Sequence, residues 1–556
     1  MSAVPAVRNG AQALVDALLI HGADTGFCVP GESYLAVLDA LYDVRERFKL
    51  IVCRQEGGAA YMADAYGKLT GKPGICFVTR GPGAANASVG LHTAFQDSSP
   101  MILFIGQVAR DALEREAFQE LDYRRMFGQL AKWVAQIDNA RRIPEFLSHA
   151  FHIATSGRPG PVVLALPEDM LNDPCDVAQP QPYRRIAAAP PPAAMAELHS
   201  RLCQAKRPVM IVGGRGWTTQ ACADLQQFAE QWQLPVSCAF RYQDLFDHSH
   251  PNYIGDVGLG INPKLKARLQ EADLVITVGA RLGESTTNGY VLFDIPRPAQ
   301  TLVHVHAGAE ELGRVYAADL PINSGYPEFF AAALNLQPPA SLPWGDNVPG
   351  NRQIYLDWSE PGRVPGAVQM GDIMCWLRER LPADAIVTNG AGNYAIWLHR
   401  FYRYRQFGTQ LAPTNGSMGY GVPAAVAAKI TQPSRTVVAF AGDGCYMMNG
   451  QELATAVKYG ASVIFIVVNN GMFGTIRMHQ EREYPERVMA TSLVNPDFVA
   501  LAKAYGAHGE LVTETGQFAV AFERALTAGK PALIEIQVDP EAITPNTTIN
   551  QLRGKR

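Results

Sequence analysis

The sequence predicts an α/β protein of three consecutive domains, each a doubly wound parallel sheet with helices on both faces. Three observations lead there. At 556 residues the chain exceeds what one hydrophobic core can organise, and ordinary domain sizes suggest about three or four units. Short β-branched runs alternate with helix-like patterns, the mark of strand–helix–strand crossovers. Two Pro-rich stretches cut that alternation into parts of similar size.

In the first part, strands are expected at Leu50–Cys53, Ile75–Thr79, Met101–Ile105 and Val162–Leu166. The segment Gln179–Pro192 carries Pro-Gln-Pro and Ala-Ala-Ala-Pro-Pro-Pro, has little to bury, and reads as a linker. A second set of strands is expected near Pro208–Val212, Leu274–Val278 and Thr301–Val305, fading into a second linker at Pro338–Pro349. The third set comprises Ala385–Thr388, Thr436–Phe440, Val463–Val468 and Ala532–Gln537. The expected domains are therefore 1–180, 193–340 and 355–556, with no short-period repeat of the solenoid kind.

Composition narrows the class. Hydrophobic residues make up 47% and charged residues 18%, which suits a globular protein able to build its own cores. The formal charge is −4 and no long basic run precedes the short Arg553–Arg556 tail, so nucleic acid is not an expected partner. Met1–Gln12 lacks a signal-peptide pattern and apolar runs such as Ala461–Val468 are too short to span a bilayer, so a cytoplasmic location is expected and membrane association is not. Nine scattered Cys, without a Cys-x-x-Cys pair, suggest neither disulfides nor a zinc cage.

The most informative segment is Thr436–Phe473. A buried strand runs into Ala441-Gly-Asp-Gly-Cys445, a helix-like stretch follows through Gly450–Val457, and a further strand ends in Asn469-Asn470. Asp443 and Asn470 would then lie at the carboxyl ends of parallel strands, where open α/β sheets bind ligands. Gly442 and Gly444 allow the backbone close to phosphate oxygens, and a helix N-terminus adds amides and a positive dipole. A hard cation such as Mg²⁺ would take oxygens from Asp443, from Asn470 and from the main chain of Met472. Either dipeptide alone is more commonly a turn or a cap, but the pair at strand ends points to a bound diphosphate.

Gly442-Asp443-Gly444 followed by Asn469-Asn470 resembles the thiamine diphosphate motif of the pyruvate decarboxylase and acetolactate synthase family. The resemblance extends over the whole chain, whose three units match the family's pyrimidine-binding, middle and diphosphate-binding domains. It implies thiamine diphosphate and Mg²⁺ as cofactors, with contacts from Cys445 and from Met472, Phe473 and Gly474. Glu56, after the strand Leu50–Cys53, matches the glutamate that activates the cofactor through its aminopyrimidine; by itself it could simply complement a helix N-terminus. Met418, in Asn415-Gly416-Ser417-Met418, matches the bulky residue that bends the cofactor, although a Met beside glycines is often core filler. Asn389-Gly390-Ala391-Gly392-Asn393 resembles a second diphosphate loop or is a plain turn. The family shares each site between two subunits, which implies a homodimer at minimum and suggests a homotetramer.

At the substrate end, Phe118 and Gln119 look like the acetolactate synthase loop that lines the reaction chamber. Glu32 stands where acetolactate synthases carry glycine and either handles protons or caps a helix over Ser33–Tyr42. His92 either approaches the pocket or is a satisfied core histidine. Acetolactate synthases also hold FAD in the middle domain. Gly213-Gly214 and Gly279-Ala-Arg281 match that pattern, but His304-Val-His306 and Ser324-Gly-Tyr326 replace expected acids, so the sequence speaks against flavin more than for it. No Trp follows Asn470, unlike the herbicide-sensitive enzymes. The expected activity is carbon–carbon lyase or carboligase chemistry on small 2-oxo acids or aldehydes, pyruvate being the default: loss of carbon dioxide, then protonation to an aldehyde or transfer to a second carbonyl. Rivals are a simple 2-oxo acid decarboxylase, an aldehyde or acyl-CoA lyase, and a non-catalytic cofactor-binding homologue. A nicotinamide dehydrogenase is disfavoured because Gly213-Gly-Arg-Gly216 lacks the G-x-G-x-x-G spacing.

Overall fold

The computed structural model describes residues 8–554. The first seven residues of the signal-peptide reading and residues 555–556 of the basic tail lie outside the described residues. The chain divides into two compact units, the N-terminal domain with Val426–Thr431, and the middle domain with the rest of the C-terminal domain. Among the described residues no helix is long and apolar enough to cross a membrane.

In the N-terminal domain β1 (Thr25–Cys28), β2 (Lys49–Val52), β3 (Gly74–Val78), β4 (Met101–Gln107), β5 (Trp133–Gln136) and β6 (Pro161–Pro167) form one parallel sheet, ordered β2-β1-β3-β4-β6-β5. Every residue of β3, β4 and β6 is buried, as expected for a sheet covered on both faces. The middle domain contributes β7 (Val209–Val212), β8 (Val236–Cys238), β9 (Tyr253–Asp256), β10 (Leu274–Val278), β11 (Thr301–His306) and β12 (Leu320–Asn323), ordered β9-β8-β7-β10-β11-β12. Relabelled within the domain, that is 3-2-1-4-5-6, the order of dinucleotide-binding sheets. The C-terminal domain has β13 (Ile386–Asn389), β14 (Gln410–Leu411), β15 (Val437–Gly442), β16 (Ile464–Asn469), β17 (His508–Val512) and β18 (Ala532–Gln537), ordered β14-β13-β15-β16-β18-β17. Its relative order, 2-1-3-4-6-5, repeats that of the N-terminal domain.

These orders fix where ligands can sit. In the two outer domains the chain leaves the first strand in one direction for the second and in the other for the third, so a crevice opens between first and third strands at their carboxyl ends. The loops flanking it are 29–32 and 79–83 in the N-terminal domain and 389–393 and 442–445 in the C-terminal domain. In the middle domain the same argument selects the loops after β7 and β10.

Two expected elements differ from those observed. Residues 33–42 divide into a 3₁₀ turn, Glu32–Tyr34, and a helix, Leu35–Asp43, with Tyr34 at the N-cap and no side-chain cap bond, so Glu32 does not cap that helix. The second linker is partly ordered. Residues 345–347 form a 3₁₀ turn and Val348–Trp358 a helix, because Pro349 falls in the first turn, where its missing N–H costs nothing. Residues 176–191 carry no helix or strand, in keeping with the first linker.

The helix Glu56–Thr70 is buried from Gly57 to Lys68, and it packs against the helix Gly81–Asp97 so closely that a Cβ on Gly90 would stand 2.4 Å from that of Ala60. Its buried charge is neutralised locally. Lys68 Nζ lies 2.8 Å from Asp64 and pairs also with Asp97, all three side chains being buried. Removing the cation leaves two buried carboxylates facing each other, so Lys68→Met is expected to destabilise the domain by about 3–5 kcal/mol. The check is the urea midpoint of the purified protein; an unchanged midpoint contradicts it.

Candidate active site

Register places Gly442 of β15 beside Val468 of β16, so Asp443 and Asn469 leave the sheet as neighbours. Asp443 begins the helix Asp443–Asn449 and is buried. Its Oδ1 accepts the Gly444 N–H at 2.9 Å; its Oδ2 accepts the Gly471 N–H at 2.9 Å and the Asn495 amide at 2.8 Å. Burial raises the Asp443 carboxyl above its ordinary value, and these donors work against that rise. Asn495 also donates to Asn469 Oδ1 at 3.0 Å, and Asn469 in turn donates to Glu535 at 2.8 Å. Asn470 Oδ1 accepts the Met472 N–H at 3.2 Å. The loop carrying Met472 and Phe473 is backed by residues 491–493 through Phe473 N–H to Thr491 O (2.9 Å) and Leu493 N–H to Gly471 O (2.8 Å).

Among the described residues no cluster of three His, Cys, Asp or Glu is assembled. What stands here is one carboxylate, one side-chain amide and main-chain oxygens, a hard-oxygen donor set. That set fits Mg²⁺ bridged to a diphosphate. Gly444 has a further role: a Cβ there would lie 2.5 Å from the Phe473 ring, so its absence admits that ring as well as a ligand. The expected long helix after Gly444 is interrupted, with a 3₁₀ turn at Gly450–Glu452 before Leu453–Lys458.

Facing this across the crevice are the loops 389–393 and 415–421. Asn389 is fully buried, its Nδ2 donating to Gly390 O (2.7 Å) and its Oδ1 facing His399 Nε2 (3.2 Å), so it shapes the loop from behind. The Gly390 N–H is taken by Tyr394 Oη at 2.9 Å. Ala391 and Gly392 are half-buried at the mouth, Gly392 at φ +143°. Asn393 accepts from Thr475 at 2.8 Å and donates to Ile543 O at 3.0 Å, joining this loop to the helix Gly474–Glu483 and to the C-terminal segment. Gly416 is exposed at φ +70°, while Ser417 and Met418 are half-buried. The C-terminal segment is fastened by buried Glu481, which accepts from Arg477 (2.7 Å) and from both Arg553 nitrogens (2.7 and 2.6 Å). Those guanidinium bonds, Arg553's first, hold the Glu481 carboxyl down to about 2. Arg553 of the basic tail is thus spent inside the protein.

The N-terminal domain gathers a second group by itself. Glu56 opens its helix, with Gln55 capping through the Gly58 N–H (3.0 Å), and Glu56 Oε2 accepts the Asn86 amide at 2.9 Å. A Cβ on Gly83 would lie 3.5 Å from Glu56 Oε1 and 3.0 Å from Thr79 Cγ2, and one on Gly31 would lie 2.4 Å from Thr79 Cβ. The Glu32 loop therefore borders the same crevice, with Glu32 exposed. Gln119, at φ +64°, joins through its carbonyl to the Gly81 N–H at 2.9 Å, and Phe118 beside it is 71% exposed. His92 is half-buried about two and a half turns deeper in the helix than Gly83 and is not part of this group. Asn86 and Asn495, which position the two acids, were not singled out from the sequence; an Asn on a helix and an Asn before a Pro carry no chemical signal of their own.

The chain matches three family descriptions: Thiamine pyrophosphate enzyme, N-terminal TPP binding domain, over residues 8–126; central domain, over 195–332; and C-terminal TPP binding domain, over 390–536. It is 33% identical to the acetolactate synthase large subunit of Parasynechococcus marenigrum, over 96% of this chain and 88% of that one. It is 31% identical to the acetolactate synthase isozyme 2 large subunit of Escherichia coli, over 96% of each chain, and 30% identical to the probable acetolactate synthase large subunit of Methanocaldococcus jannaschii, over 97% and 93%. The chain belongs to the thiamine pyrophosphate enzyme family. Thiamine pyrophosphate is the thiamine diphosphate expected above, and the three parallel-sheet domains are those of the family.

The middle domain of this thiamine pyrophosphate enzyme keeps the glycines of the sequence pattern. Its crevice has glycines pressed together, a Cβ on Gly214 lying 2.2 Å from Gly279 O, and Arg215 is buried with Nε and Nη2 making no hydrogen bond. Residues 304–306 and 324–326 hold no acid. His304 and His306 are buried, His304 faces Ala280 O at 3.0 Å, and burial first and His306 second push its pKa down to about 4, keeping it neutral.

For this enzyme, Asn495→Ala removes the donor shared by Asp443 and Asn469. Loss of such a supporting contact is expected to weaken Mg²⁺ binding by about 10- to 100-fold. Metal titration in the presence of thiamine diphosphate checks this, and parental affinity would exclude Asn495 from the metal site.

Proposed function

We propose that this enzyme is an acetolactate synthase-like carboligase that uses thiamine diphosphate and Mg²⁺ to decarboxylate a 2-oxo acid, pyruvate by default, and to transfer the two-carbon remainder to a second carbonyl. The observation that carries this reading is the pairing of Glu56 and Asn86 with a loop that presents Phe118 and Gln119 at the same crevice, in a chain aligned nearly end to end with proteins named acetolactate synthase. When bound, the cofactor supplies the electron sink for the loss of carbon dioxide and for the carbon–carbon bond made afterwards.

The protein's residues do the rest. Asp443, Asn470 and the Met472 carbonyl would hold the metal, and the amides of Cys445, Ala391, Gly392 and Gly474 would receive the diphosphate. Glu56, oriented by Asn86, would hold the aminopyrimidine of the cofactor and exchange a proton with its ring nitrogen. Met418 sets the bend of the cofactor. Phe118 and Gln119 shield the reacting carbon from water and orient the acceptor. Because Glu56 and Asp443 would come from neighbouring subunits, the active form is a homodimer or a homotetramer built from it. Flavin has no step in this scheme. Exposed Glu32, where acetolactate synthases carry glycine, favours a second reading, simple decarboxylation, in which its carboxyl delivers the proton that makes an aldehyde.

Incubation with pyruvate, thiamine diphosphate and Mg²⁺ is expected to yield acetolactate or acetoin with carbon dioxide; acetaldehyde as sole organic product would retire carboligation in favour of the second reading. Glu56→Gln is expected to slow exchange of the cofactor C2 proton with deuterium by about 100-fold or more. Exchange at the parental rate, with cofactor bound, would remove Glu56 from the mechanism.

A further inference from the structure

The helix that begins with Asp443 makes a second set of contacts that the scheme above does not use. Cys445 and Asn449, four residues apart and so on one face, reach the backbone of one residue, Gly419, the first at its N–H and the second at its carbonyl. The Gly419 N–H donates to Cys445 Sγ at 3.2 Å, and the Asn449 amide donates to Gly419 O at 3.1 Å. Cys445, Gly419 and Asn449 are all buried. Gly419 has φ +80°, and a Cβ there would lie 2.6 Å from the Asn449 nitrogen and 2.9 Å from Met448 Cβ, so the grip needs glycine in its left-handed conformation. The residue immediately before this peptide is Met418.

On its far side the Cys445 thiol lies 3.5 Å from Tyr394 Oη, which accepts the Gly390 N–H. A Cβ on Gly390 would stand 2.6 Å from that sulfur. One helical turn therefore connects the metal-binding carboxylate, the loop 389–393 and the peptide that carries Met418. Both backbone groups of Gly419 are satisfied by this helix; without it they would be buried and unpaired, which favours a rearranged loop.

We propose that Cys445 and Asn449 are positioning residues: by clamping the Gly419 peptide they fix the height of Met418 against the cofactor, so that the helix carrying the metal ligand also sets the bend that brings the amino group to C2. This rests on the reading of Met418 as the bending residue. Neither side chain need touch cofactor or substrate through its polar atom, and their removal is expected to separate cofactor retention from cofactor activation.

The test uses the full-length protein with Cys445→Ala, Cys445→Ser and Asn449→Leu. Thiamine diphosphate affinity in Mg²⁺ is measured by calorimetry, and C2 proton–deuterium exchange of the bound cofactor by acid quench and proton NMR. Cys445→Ala and Asn449→Leu are expected to bind within about 3-fold of the parent yet exchange about 10-fold or more slowly, since a displacement near 1 Å can cost that much. Cys445→Ser, whose oxygen still accepts the Gly419 N–H, is expected to recover most of the rate lost in Cys445→Ala. Amide hydrogen exchange of residues 415–421 in the cofactor-free protein gives a readout independent of the cofactor, and it is expected to speed up in the first two variants alone. Parental C2 exchange in both Cys445→Ala and Asn449→Leu, or unchanged amide exchange over 415–421, overturns the proposal. Failure of the parent itself to bind cofactor would instead strike the reading of the site, and a Met418→Ala variant with parental C2 exchange would strike the role of Met418.

Discussion

A carboxylate at the end of a buried parallel strand cannot keep its charge unless something polar surrounds it, and the surroundings of Asp443 organise much of the C-terminal domain. Three donors converge on it from Gly444, Gly471 and Asn495, drawing together the start of one helix, the loop after β16 and the segment 491–495. Burial raises the Asp443 carboxyl against the pull of those donors. The same helix then reaches Gly419, on the opposite wall of the crevice.

The two outer domains share one strand order, and each opens a crevice at the equivalent place. In the N-terminal domain the first and third strands open onto the Glu32 loop and onto Thr79–Gly83, with Glu56 reaching in from the end of β2. In the C-terminal domain the equivalent loops carry Asn389–Asn393 and Gly442–Cys445. The middle domain has the other doubly wound order, with a crevice of its own. Its loop after β8 is joined to the C-terminal domain through buried Asp244, which accepts the Gly408, Thr409 and Gln410 N–H groups at 3.0, 3.0 and 3.1 Å. Gln243 beside it donates to His399 O at 2.8 Å, and His399 is the residue that holds Asn389.

The central strands were legible in the sequence because a strand buried on both faces reads as a continuous apolar run: β4, β6, β10, β15, β16 and β18 all fall where such runs occur. Of the edge strands, Lys49–Val52 was legible at Leu50–Cys53, but others were not. Trp133–Gln136, Gln410–Leu411 and His508–Val512 are short or half-exposed, and their place depends on the neighbour they pair with rather than on their own pattern. Val348–Trp358 was hidden by its own Pro, which is unfavourable inside a helix and harmless at its start. Asp443 and Asn470 drew notice only as a pair at neighbouring strand ends, since Gly-Asp-Gly or Asn-Asn alone is more commonly a turn or a cap. Asn86, Asn449 and Asn495 could not, since their meaning lies in a partner 30 to 52 residues away along the chain.

The account stands on the metal and the diphosphate being held together, each completing the other's site. The most direct measurement is a calorimetric titration of the metal-free protein with thiamine diphosphate, run with and without Mg²⁺. Saturable binding that tightens sharply when Mg²⁺ is present is the predicted result. Absence of binding under both conditions, or binding indifferent to the metal, would contradict it.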